Sequence, residues 1–305
     1  MMKKESKFFA FVIILSVLLG TFFLPLALAG DRLKVAVSIL PQKYFVQKIG
    51  GDLVDVSVMV LPGASPATYE PKPQQMVNLT KSRVYFAIGV PFETVWLRKF
   101  GTFNPKMTIV STQAGIEKIP MKAHLHDPHE AERHPENAAH PGIKDPHIWL
   151  SPPMVMLQAR NILHGLLTVD PGHRASYEAN YRRFISEVAD LDIRLTNRFK
   201  GTAQGAAFMV YHPSWDYFAR AYGLKQIPIE MEGKNPTSRE LKELISMARR
   251  DGIRVIFVQP QFSTKSANTI AGAIEGKVMV ANPLALNWSE NLAEVATAFA
   301  STFNR

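Results

Sequence analysis

The chain contains no cysteine. That absence excludes disulfides, thiolate metal ligands and the N-terminal cysteine that a lipid anchor requires. Although the formal charge is +9 at pH 7, no run of Lys and Arg is interleaved with aromatic residues. The basic balance therefore reads as a solvated surface, and no nucleic-acid partner is expected. The HExxH pattern is missing too, and no motif sets a carboxylate beside a candidate ligand histidine. A metallohydrolase needs such a general base next to an open metal position, so the chain does not read as an enzyme.

The N-terminus carries Lys3, Lys4 and Lys7, an apolar run from Phe8 to Leu26, and then Ala27, Leu28 and Ala29. These are the charged, apolar and small-residue regions of a secretory signal, with cleavage expected after Ala29 and a free periplasmic product. Removal of residues 1–29 takes away three Lys and one Glu, which lowers the charge from +9 to +7. About 275 residues remain, enough for two modest lobes at roughly 100 to 200 residues per domain. An apolar content of 47% with near-zero mean hydropathy fits a soluble globular chain.

Hydrophobic periodicity alternates between strand and helix patterns. LKVAVSIL (33–40), DVSVMVLP (55–62), RVYFAIG (83–89) and residues 107–110 read as strands, with helices from Pro41, over 74–80 and over 92–100 between them. Strands separated by helices of about ten residues imply parallel βαβ units. From Tyr177 the apolar positions Tyr181, Phe184, Val188, Leu191, Leu195 and Phe199 follow in steps of three and four, which predicts a long amphipathic helix. A second alternation follows, with strands at 206–212, 252–260 and 277–283 and helices from Pro213 and over 238–250, 264–275 and 288–303. The expected fold is α/β: two lobes of parallel βαβ units joined by one long rigid helix. The boundaries are an N-terminal lobe over 30–170 with a His-rich loop at 122–144, the linking helix over 171–201, and a C-terminal lobe over 202–305.

Six of the nine histidines fall between His124 and His147. The first five, His124, His126, His129, His134 and His140, alternate with Asp127, Glu130, Glu132 and Glu136 and have few apolar neighbours, so they read as a mobile, metal-catching loop. His147 stands instead in DPHIWLSP, where the backbone should be held firmly. In open parallel sheets ligands gather outside the carboxyl ends of the strands, which points to 61–71, His147, His212 in YHPSW, Gln259 and Asn282. Imidazoles without thiolates suit Zn(II) ahead of the oxygen-preferring Mn(II). His164 and His173 read as structural or surface residues, and Trp149, Trp215 and Phe262 as lobe-core residues. Asp145 is placed to orient His147 through its second ring nitrogen or, equally, to form a turn before Pro146.

GASPATYEP, DPHIWLSP, VYHPSWDYFARAYGL, IFVQPQFS and VMVANPLA, in this order, resemble the ligand loops of the periplasmic metal-binding proteins of ABC importers, the ZnuA-like and TroA-like family. The resemblance covers essentially the whole chain after the signal. It implies a metal held between two lobes, Zn(II) first, as cargo for a membrane permease, with the protein acting as a monomer. It also implies a histidine where this chain has Ala67 and an aspartate where it has Asn282, while Gln259 stands where many relatives carry Glu. Alanine cannot ligate, and Asn282 offers only a weak carbonyl oxygen, so His147 and His212 are the two strong ligands.

Three ways of completing the site stand open. Asn282 and water can fill it weakly, His140 or another of His124, His126, His129 and His134 can fold over it, or the cleft can hold a different ligand. The second is favoured, because His140 is seven residues from His147 and an extended segment spans roughly 3.3 to 3.6 Å per residue. Glu70 is a less favoured substitute carboxylate. The functional alternative to import is a metallochaperone or adhesin with a weakened site.

Overall fold

The computed structural model describes residues 31–121, 144–230 and 234–303. The first lobe holds β1 (Leu33–Val37), β2 (Val54–Val58), β3 (Val84–Ala87) and β4 (Thr108–Ser111), with α1 (Leu40–Gly50), α2 (Pro73–Leu79), α3 (Pro91–Phe103) and α4 (Pro152–Val169). The second holds β5 (Ala206–Val210), β6 (Leu224–Pro228), β7 (Val255–Val258) and β8 (Lys277–Val280), with α6 (Asp216–Ala221), α7 (Ser238–Arg250), α8 (Lys265–Ala273) and α9 (Trp288–Ala300). Between them runs α5 (Arg174–Phe199), 26 residues long.

The two sheets are parallel throughout, in the orders β2-β1-β3-β4 and β6-β5-β7-β8, so both lobes have the same topology. The central strand β3 is buried along its whole length, as the apolar run VYFA requires when helices cover both faces. Prolines in the first turns of α1 to α4 mark the helix starts, where a missing N–H leaves no bond unmade. Thr237 and Glu240 cap α7 reciprocally, each side chain taking the other's backbone amide.

Strand β6 is absent from the sequence expectation. Its residues LKQIP carry too many polar groups to read as a buried strand, yet they suit an edge position, where proline is tolerated. The helix expected from Pro213 begins three residues later, at Asp216.

The buried stripe of α5 is Tyr177, Phe184, Val188, Leu191, Leu195 and Phe199, which matches the predicted period apart from the half-buried Tyr181. This stripe packs on α1, α4 and α9, so one helix is cemented to both lobes. The core is correspondingly continuous: Phe45 meets Trp288 at 5.1 Å between ring centres, and Phe208 stacks on Phe299 at 4.1 Å. A smaller cluster around Met209, Ile229, Ile256 and Ile270 belongs to the second lobe alone. Among the described residues, no helix is long and apolar enough to cross a membrane.

Candidate metal centre

His147 and His212 come from different lobes and face one another, with ring centres 5.3 Å apart and planes at 73°. Two imidazoles bound to one ion at a tetrahedral angle, with Zn–N near roughly 2.0 to 2.1 Å, would have ring centres about 5 Å apart. The observed separation of ring centres is compatible with both imidazoles ligating one ion.

Each ring is oriented by a buried carboxylate. Asp145 Oδ1 accepts the His147 backbone N–H at 2.9 Å and lies 2.7 Å from His147 Nδ1. Glu230 Oε1 lies 2.5 Å from His212 Nδ1. A carboxylate can only accept, so Nδ1 carries the proton in both rings and Nε2 is left with its lone pair for a metal. Asp145 is thus an orienting residue as well as part of a turn. Its backbone is fixed by its own N–H donating to the Ile119 carbonyl and by the neighbouring Pro120–Lys144 bridge.

Burial lowers the His147 pKa from its ordinary value of 6.5, against the opposing pull of Asp145. The ring is therefore neutral at neutral pH, as ligation requires. The half-buried Lys118 amine donates to the Ile88 and Gly89 carbonyls at 3.3 Å each. Burial lowers its pKa too, while Glu93 and Asp145 act to raise it.

Around His212 the backbone is clamped from β7. Gln259 Oε1 accepts the His212 N–H at 3.1 Å, and Gln259 Nε2 donates to the His212 carbonyl and to Ser214 Oγ at 2.8 and 3.0 Å. The carboxamide of Gln259 is thus spent on holding the His212 peptide. Phe262 stacks on the His212 ring at 4.8 Å, a site contact where the sequence suggested only core packing. Trp149 and Trp215 are core residues as expected, although the Trp149 ring also lies 5.1 Å from that of His147.

Among the described residues, the other ligand candidates have different partners or are exposed. Asn282 is half-buried beyond β8, with its Oδ1 accepting the Leu284 N–H at 3.0 Å. It lines an interlobe cavity of about 300 Å³ together with Leu61, Gly63, Gln261 and Leu284. Ala67 is exposed in the turn after β2, where its N–H donates to Ser65 Oγ at 3.2 Å. Tyr69 anchors that turn by burial and by donating to Gln75 Oε1 at 2.6 Å. Glu70 is exposed. His164 and His173 are exposed as well, His173 pairing with Asp170 at 2.8 Å. His124, His126, His129, His134 and His140 lie outside the described residues. Among the described residues, no group of three or more His, Asp or Glu could hold a metal ion.

Glu230 was not found by sequence reasoning, because the strand that delivers it, β6, was not found either. The usable signal was IPIEMEG, a short apolar segment ending at a carboxylate.

The family model for the periplasmic component A of the zinc-uptake complex, ZnuA, matches residues 35–301. The chain belongs to the ZnuA family. Within it, the high-affinity zinc uptake system protein ZnuA of Bacillus subtilis is 28% identical over 261 residues, covering 84% of this chain and 79% of that protein. The zinc-binding protein AdcA of Streptococcus pyogenes is 27% identical over 266 residues, and there the chain spans only 51% of the relative. A crystal structure of a ZnuA covers 90% of this chain and 100% of its own, at 42% identity and a TM-score of 0.81. The fold of two parallel α/β sheets is therefore that of the family.

Proposed function

We propose that this protein captures Zn(II) between its lobes on His147 and His212, outside the cytoplasm, and delivers it to the permease of an ABC importer. The observation that carries this reading is the facing pair of imidazoles, each oriented by a buried carboxylate of its own lobe. Zinc is cargo here and no bond of a substrate is broken; the protein is a solute-binding component and not an enzyme. Mn(II) is disfavoured because nitrogen, not carboxylate oxygen, faces the cleft. The leader at residues 1–29 is read as a cleaved signal and the working form as a monomer.

Two protein donors leave a four-coordinate ion incomplete. Of the sources open to it, a histidine from 124–140 is preferred over Asn282 with water, since the Asn282 oxygen already serves the Leu284 amide. Zinc titration by competition with a chelator tests the whole reading: sub-micromolar binding is expected in the wild type and abolition in His147→Ala and His212→Ala. Unchanged affinity in both variants would sink it. Metal content after purification without added zinc, compared with a deletion of 124–140, separates a completed high-affinity site from the weakened site of a metallochaperone or adhesin.

A further inference from the structure

The segment that carries His147 belongs to the first lobe, yet the second lobe grips it on both flanks. Two residues before the ligand, the Asp145 carbonyl accepts the hydroxyl of Tyr217 at 3.0 Å. Two residues after it, the Trp149 indole donates to the Pro283 carbonyl, and the Trp149 carbonyl accepts the Trp288 indole, both at 2.7 Å. All the side chains involved are buried, so these bonds do not exchange readily with water.

Tyr217 is the most informative of them because of its place in the chain. It lies in α6, five residues beyond His212, and the intervening backbone is stiff: the Ser214 N–H donates to the His212 carbonyl at 2.8 Å and the Trp215 N–H to Gln226 Oε1 at 2.6 Å. The same hydroxyl that donates to Asp145 also accepts the Ile119 N–H at 3.0 Å, next to the isolated Pro120–Lys144 bridge. One oxygen atom thus ties the His212 segment to Asp145, and Asp145 in turn orients the His147 ring.

We infer that Tyr217 is a positioning residue that fixes the separation of His147 and His212 and thereby makes the site selective for a small cation. This rests on the zinc-binding reading above. A clamped pair resists widening, so a larger ion of equal charge must stretch either its own bonds or the grip on 145–149. Selectivity by fixed spacing follows, and loosening the spacing relaxes it.

The test is the ratio of Zn(II) to Cd(II) affinity, measured by chelator competition on the full protein for wild type, Tyr217→Phe and Tyr222→Phe. Tyr222 is the control, since its half-buried hydroxyl donates to Asp192 at 2.8 Å, on the linking helix instead of the ligand segment. Tyr217→Phe loses two hydroxyl hydrogen bonds and Tyr222→Phe one, and both lose some stability. Only Tyr217→Phe is expected to lower the zinc preference, by about tenfold, the scale of effects usual for groups that orient ligands. If Tyr217→Phe does not fold, Trp288→Phe frees the other flank and carries the same expectation. An unchanged ratio in Tyr217→Phe (or, in its place, Trp288→Phe), or an equal fall in Tyr222→Phe, overturns the inference. Absence of zinc binding by the wild type would instead overturn the functional reading on which it stands.

Discussion

Asp145 Oδ1 lies 2.7 Å from Nδ1 of His147 while also accepting the amide of the same residue, so one oxygen fixes both the backbone and the ring of a ligand. Glu230 does the equivalent for the His212 ring from the second lobe. The site is symmetrical in chemistry although its halves come from unrelated stretches of sequence.

Glu230→Ala should weaken zinc binding by about 10 to 100-fold, the range typical of losing the carboxylate behind a ligand histidine. Glu230→Gln should cost less, because an amide oxygen still accepts from Nδ1. Chelator competition on the two variants checks the order; equal affinities for wild type and Glu230→Ala would refute the orienting role.

Protonation of His147 should occur below the ordinary histidine value of 6.5, because burial lowers it in the folded protein. The unfolded chain then binds this proton more readily than the native one. Stability of the metal-free protein is therefore expected to fall as pH drops through about 6.5, and the His147 contribution to level off below its native pKa. Ring chemical shifts of His147, followed by NMR against pH, give the native value directly; a midpoint at or above 6.5 would contradict the burial argument.

Gly165 of α4 packs tightly against side chains of the first sheet. A Cβ there would lie 2.6 Å from a ring carbon of Phe86 and 3.0 Å from a methyl of Val110. Gly165→Val should destabilise the fold by about 1 to 3 kcal/mol, as overpacking in a close-packed core does. Denaturant unfolding with an unchanged slope is the measurement, and an undiminished midpoint would mean that helix and sheet can part without loss.

Metal release should leave the lobes nearly where they are. Besides α5, the lobes share one apolar core and three buried hydrogen bonds converging on residues 145–149. Crystal structures with and without zinc should differ by small shifts, and a rotation of tens of degrees would show that these ties are weaker than their burial implies.

Periodicity was enough to locate most elements, because burial of a helix stripe or of a strand covered on both faces leaves a pattern in consecutive residues. Thus α5 was legible from its steps of three and four, and β3 from VYFA. Strand β6 was not, since an edge strand is only partly buried and keeps its polar residues. The same difference governed the site: His147 and His212 were visible in local motifs, and Asp145 was within two residues of its partner, but Glu230 lies 18 positions from His212.

The sequence by itself determined which atoms are available to a metal: imidazoles and no thiolate, alanine at 67 and a carboxamide at 282. Tertiary structure decided which of them meet and in what state. Two histidines 65 residues apart in the chain became a pair only when both sheets put their carboxyl ends toward one cleft, and their tautomers were set by carboxylates that folding buried beside them. Donor chemistry is a property of each side chain alone. Spacing, protonation and rigidity arise from packing between distant segments, and no local pattern encodes them.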